Sequence, residues 1–317
     1  MMPKTAKVLD WFWLLVCNLM WASQFVMVKL VQEQMGPLFA VTFPIALSTI
    51  LLVFLVMREP KLRVTSRDLW NFVLLGILGQ LVAQLFITWG VRFAPASNAA
   101  LLALIMPIST AVMAHFILGE HMTRVRWISF GLAILGVMAC SGVDWNGLNF
   151  GKGYLIGNVL IFFSVLGSAF YNTYSKKVLE THSPLQVLLY SYYALLIVLL
   201  PLTVALEPSG FANLAHYSRT VWVGLAILAV FQYFLSMVIF LNVLTRLDAT
   251  QAALSNYLIP FFGVLIAALV LHEHLTSFMI AGGLLALAST LLITVWDSPV
   301  PVVSVEAEVA AKGRDLT

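Results

Sequence analysis

The sequence predicts an all-α polytopic membrane protein of ten transmembrane helices, arranged as two inverted five-helix repeats. Three observations predict it. The chain is 61% hydrophobic and only 10% charged, far short of what a water-soluble surface of this size requires. Its apolar runs repeatedly reach about 20 residues, enough to cross a bilayer as a helix, and they are unbroken rather than alternating, which excludes a barrel. One segment also occurs twice: Ala96–Thr123 and Ala249–Thr276 match at a constant offset of 153 residues with ten of 28 positions identical, among them Pro107/Pro260, Glu120/Glu273 and His121/His274.

Span 1, near 9–28, follows Lys4 and Lys7 and superficially resembles a leader peptide, but its apolar run continues to Val28, so it reads as a retained helix. Spans 2 to 5 lie near 36–57, 69–91, 97–118 and 126–142. Spans 6 to 10 lie near 153–175, 185–206, 219–243, 250–271 and 277–296. The first repeat covers 8–142, the second covers 153–296, and Val143–Lys152 is the boundary. Residues 298–317 mix Pro, Val, Ala and charge and read as a mobile cytoplasmic tail.

Five spans per repeat is an odd number, so the second copy enters the membrane from the opposite side. Glu120 is thereby expected at the cytoplasmic face and Glu273 at the outer face. Charge placement sets the orientation. With the N-terminus inside, 13 Lys and Arg fall in cytoplasmic positions, whereas Lys29, Arg92, Lys152 and Arg219 fall outside. That bias puts both termini of a multi-pass protein in the cytoplasm; the expected location is the cell inner (plasma) membrane. The cationic clusters are thus topology signals, and no nucleic-acid partner is expected.

Polar side chains inside the spans are the candidate solute contacts, because each costs free energy in hydrocarbon unless partnered. Gln80, Gln84 and Thr88 recur every four residues along span 3, and Gln232 and Ser236 do so along span 8 beside Tyr233. Span 1 offers Asn18, Trp21 and Gln24; span 4 offers Ser97 and Asn98. Span 6 offers Ser164, Ser168, Tyr171, Asn172 and Ser175; span 9 offers Gln251, Asn256 and Tyr257. The competing reading of each is helix-to-helix glue. The amides concentrate in spans 1, 3, 4, 6, 8 and 9. Spans 5 and 10 instead carry Gly131, Gly136, Gly282 and Gly283, which suit close packing.

Pro107 and Pro260 each remove a backbone bond inside a span and read as a hinge or a static kink. Glu120-His121 and Glu273-His274 read as surface turns, with Thr123 and Thr276 as N-caps. His115 reads as an interfacial histidine and Lys29 as a snorkelling one. Trp11, Trp13, Trp70, Trp127 and Trp222 read as an interfacial belt, which leaves Trp21 and Trp89 to be placed.

The ten spans in two repeats, the stretch Trp21-Ala-Ser-Gln-Phe-Val-Met-Val-Lys29, and Leu118-Gly119-Glu120 and Leu271-His272-Glu273 after spans 4 and 9 resemble the drug/metabolite transporter superfamily, EamA-like branch. The resemblance runs over about residues 8 to 296. It implies metabolite export or exchange, with spans 1, 3, 4, 6, 8 and 9 around a central cavity. The mid-membrane glutamate in span 1 that distant small multidrug antiporters use is absent. The expected partner is therefore a neutral, zwitterionic or amphipathic organic solute within the lipid bilayer, moved by alternating access. No cofactor, metal site or catalytic constellation is expected: Cys17 and Cys140 sit in apolar spans and no phosphate-binding loop occurs. The alternative is a non-transporting receptor or enzyme built on a helical bundle. The oligomeric state is not legible.

Overall fold

A computed structural model describes residues 4–59, 64–93, 102, 105–140, 155–259, 262, 266 and 277–297. All the regular structure among them is helical. The helices are α1 Lys4–Gln32, α2 Pro37–Val56, α3 Ser66–Phe93, α4 Ile105–Leu118, α5 Arg124–Cys140, α6 Leu155–Val178, α7 Pro184–Leu206, α8 Arg219–Leu244, α9 Ala249–Tyr257 and α10 Ser277–Trp296. A short turn of helix, Pro208–Ala212, links α7 to α8. Among the described residues, five helices are long and apolar enough to cross a membrane: α2, α6, α7, α8 and the Ser66–Gly90 part of α3. Spans of 20 to 26 residues measure about 30–39 Å at the helical rise, enough to cross a hydrocarbon core of about 30 Å. Asn98, Pro260, Glu273, His274 and the tail lie outside the described residues.

Local chemistry sets the helix ends. Thr65 and Asp68 form a reciprocal capping box at the start of α3, as do Ser183 and Gln186 at the start of α7, where Pro184 occupies the first turn. Thr123 Oγ1 accepts from Arg126 N at 3.2 Å and caps α5. Gly119 ends α4 at φ 69°, a left-handed conformation open to glycine. Sequence patterning did not reveal that α3 and α8 each contain a π-helical stretch, Leu75–Leu81 and Leu228–Leu235. Their first residues are 153 apart, the offset of the repeat. Such wide turns often mark functional positions.

The packing has a two-fold pattern. α3 packs on α6 as α8 packs on α1, and α3 packs on α7 as α8 packs on α2; α2 meets α7, α4 meets α9 and α5 meets α10. α2 and α7 run antiparallel, and each carries a glutamate just beyond its end that serves the start of the other. Ser183 Oγ donates to Glu59 Oε2 at 2.6 Å, while Leu38 N and Phe39 N donate to Glu207 at 3.2 and 2.9 Å. The buried core runs through Leu14 and Cys17, Phe39 and Ile45, Leu188 and Leu195, and Phe240 and Leu244.

Two expectations are corrected. Trp11 belongs to the core at 6% exposure, not to an interfacial belt, whereas Trp70 and Trp127 are exposed as expected. Gly131 is not a packing glycine, since a Cβ there meets nothing within 4 Å. Close approaches occur at other glycines, two of them on α3: a Cβ on Gly76 would sit 2.5 Å from both Ala194 Cβ and Ser191 O of α7, and one on Gly90 would sit 2.6 Å from Ile161 of α6. Gly76→Ala is expected to force α3 off α7 and destabilise the protein by about 1–3 kcal/mol, while Gly131→Ala is neutral or slightly stabilising. Thermal unfolding in detergent would show it, and equal melting of the two variants would contradict the packing described.

Candidate functional site

The candidate polar side chains assemble into three groups across the middle of the bundle. In the first, Gln232 of α8 donates through Nε2 to Gln24 Oε1 of α1 at 2.7 Å, and Gln24 Nε2 reaches Tyr233 Oη at 3.5 Å. Trp21 is half-buried against Phe240, ring centroids 5.2 Å apart. Ser236 is fully buried, and its hydroxyl donates to Gln232 O within its own helix. In the second group, Tyr171 of α6 lies between Gln80 of α3 and Ser191 of α7, all of them buried. In the third, Asn18 Nδ2 donates to Ser255 Oγ of α9 at 3.0 Å, next to buried Asn256.

Other candidates fall elsewhere. Tyr257 turns its ring edge-on to Phe130 of α5 at 6.2 Å. Gln84 is half-buried, and its carbonyl accepts from Thr88. Asn172 is buried, and its carbonyl accepts from Ser175. Pro107 is buried at the third residue of the described α4, and the carbonyl it crowds, at Ala103, lies outside the described residues. His115 is exposed with its ring 3.0 Å from Glu120 O, an interfacial placement. Trp89 lines a recess of about 290 Å³ on the outer wall with Leu85, Phe86, Leu160, Leu202 and Leu206; its lining is wholly apolar and holds none of the candidate solute contacts.

Serine hydroxyls supply helix-to-helix glue: Ser164 Oγ donates to Ala83 O, Ser48 Oγ to Ala229 O and Ser129 Oγ to Ser289 O, at 2.7 to 2.8 Å. The long amides do not close their circuits. Gln232 Oε1, Asn18 Oδ1 and Asn256 Oδ1, like Tyr171 Oη, are buried without a hydrogen-bond partner among the described residues. A buried acceptor left open costs about 1–3 kcal/mol, so these oxygens suit a ligand or water bearing N–H or O–H donors.

The sequence model of the EamA-like transporter family matches residues 10–142 and again residues 155–295. The chain belongs to the EamA-like transporter family. This EamA-like chain is 28% identical over 240 residues to a probable terminal-alkyne amino-acid exporter of Streptantibioticus cattleyicolor, covering 74% of this chain and 75% of that one. It is 27% identical over 286 residues to a probable amino-acid metabolite efflux pump of Salmonella typhimurium, covering 88% and 92%. A solved chain titled only as the crystal structure of a protein shares the fold at a TM-score of 0.75, with 15% identity, covering 92% of this chain and 97% of that one.

The EamA-like chain holds functional candidates that patterning overlooked. Ser191 and Tyr192 are neighbours on α7 and join two groups, since Ser191 faces Tyr171 and Tyr192 Oη donates to Tyr233 O at 2.6 Å. The run Tyr190-Ser191-Tyr192-Tyr193 inside an apolar span was the available signal. At one end of the bundle, Arg126 is 1% exposed and gathers partners from both halves of the sequence. Its Nε donates to Asp297 at 2.8 Å, Nη1 to His121 O at 3.1 Å, and Nη2 to Asp248. Thr123 Oγ1 and Gln251 Nε2 also donate to Asp297, at 2.9 and 2.6 Å. Nearby, Arg246 forks onto Asp10 of α1 at 2.6 to 3.1 Å.

Proposed function

We propose that this protein is a secondary exporter or exchanger of a small organic metabolite with N–H donors, of the amino-acid type, working by alternating access. The observation that carries the reading is the buried amide set Gln24, Gln232, Asn18 and Asn256, with acceptor oxygens left open in the middle of an apolar bundle. Amides and tyrosines match a neutral or zwitterionic solute, whereas a cationic drug would call for a buried carboxylate. Asp10, Asp248 and Asp297 all sit at the Arg126 end. The export names of the two relatives agree with this reading.

The mechanism rests on two five-helix repeats, 8–142 and 153–296, inserted upside down relative to one another, ten spans in all. The two-fold packing pattern, the antiparallel α2–α7 pair and the matched π-helical stretches support it. With the positive-inside bias, the Arg126 end faces the cytoplasm and both termini lie there. The solute sits near the midplane while the repeats rock about it.

Purified protein in liposomes loaded with labelled amino acids and their analogues is the direct test. The expected result is saturable, protein-dependent efflux of a subset of solutes. Solute binding without flux would replace the transporter with a receptor, and chemical turnover without translocation would replace it with an enzyme.

A further inference from the structure

At the Arg126 end, the α8–α9 connection is held by side chains from the other half of the chain. α9 begins at Ala249, and its N-cap Asp248 makes no side-chain capping bond because its carboxylate is turned to Arg126. The open amides of the first turn go to Glu120 instead: Ala249 N donates to Oε1 at 2.7 Å and Thr250 N to Oε2 at 3.0 Å. Glu120 is 6% exposed and is aimed there by the left-handed turn at Gly119. A helix N-terminus favours a carboxylate, and here the acid arrives from the α4–α5 turn, 129 residues away. On the same connection, Arg246 forks onto Asp10 of α1. Lys176 of α6 donates to the carbonyls of Leu244 and Leu247, which ties the connection to its own half.

We infer that Glu120 and the Asp10–Arg246 pair form a two-point latch that keeps the Arg126 end shut, and that its release is the step admitting solute from that side. The inference rests on the transport reading above. The groups it frees are helix-end amides and charges at the end of the bundle, all but Arg246 buried while the latch is closed, and opening lets water replace their lost partners. The Arg126–Asp248 pair on the same connection parts with them. Lys176 would carry the connection along with α6 when the halves part. Glu120 and Asp10 are positioning residues and touch no solute.

The test is side-specific labelling. Ser255, fully buried beside Asn18, becomes a reporter as Ser255→Cys in a chain lacking Cys17 and Cys140. A membrane-impermeant methanethiosulfonate is applied to inside-out and to right-side-out vesicles. Glu120→Gln and Asp10→Asn are each expected to speed modification about tenfold from one face only, the shift that losing one charged cap or pair produces. Glu207→Gln breaks a similar carboxylate cap at the opposite end of the bundle and is expected to give no such gain. Unchanged rates in both latch variants, or an equal gain with Glu207→Gln, would overturn the latch. Flux of labelled amino acids is measured on the parent chain without the reporter cysteine. Shifted labelling in a chain that moves no solute would sink the transport reading and leave the latch standing. Normal flux with unshifted labelling would sink the latch alone.

Discussion

Arg126→Ala is expected to destabilise the bundle by about 3–5 kcal/mol, the penalty for leaving buried charges without their partner. Arg126 is 1% exposed and satisfies three groups at once: Asp297 through Nε, His121 O through Nη1 and Asp248 through Nη2. Without it, the Asp297 and Asp248 carboxylates stay in the interior with a third, Glu120, whose Oε2 is 3.9 Å from the guanidinium. Asp297 is 2% exposed and has little access to water. Arg126→Lys is expected to rescue little, because an ammonium is a compact charge and lacks the planar fork that reaches three acceptors. A triple variant, Arg126→Met with Asp248→Asn and Asp297→Asn, is expected to recover part of the loss, since removing all the charges also removes their desolvation. Detergent melting curves would measure the series. A single Arg126→Ala variant that melts with the parent would show that this cluster does not hold the two halves together.

Gln232→Leu is expected to lower transport at least tenfold while leaving membrane insertion and melting nearly unchanged. Its amide donates to Gln24 Oε1 at 2.7 Å and keeps Oε1 open. Hydrogen bonds between membrane helices contribute only about 0.6–2 kcal/mol each, so the fold tolerates the loss. Pairing Gln24→Leu with Gln232→Leu separates glue from site. If the amides serve only each other, removing both leaves only the long 3.5 Å contact to Tyr233 Oη unmet, and activity returns toward the parent. If they hold solute, the double variant stays as inactive as the single ones. Recovery in the double variant would therefore reject these amides as solute contacts.

The composition and the repeat made the helical membrane fold legible, with helix ends correct to a few residues for α2, α7, α8 and α10. This works because the length of an apolar run is a one-dimensional property, and cap residues such as Thr65 and Ser183 act on their own first turn. In the sequence, Arg126 and Arg246 are two of the 13 cytoplasmic cations, and Asp10, Asp248 and Asp297 stand singly near span ends. Nothing local to Arg126 points to Asp297, 171 residues on. Glu120 read as part of a surface turn for the same reason: the amides it caps belong to a helix in the other half. Trp11 and Gly131 were misplaced because periodicity cannot say which face of a helix meets lipid when every face is apolar.

The residue order by itself determined that this chain forms apolar membrane helices, that a stretch of it is duplicated, and that its mid-span polar groups are amides and phenols. Those properties follow from side-chain chemistry and run length. Only the tertiary structure decided which hydroxyls serve as glue, which amide oxygens stay open, and which charges close one end of the bundle. Each of those depends on residues 81 to 237 positions apart being brought within about 3 Å, a distance that only helix packing sets.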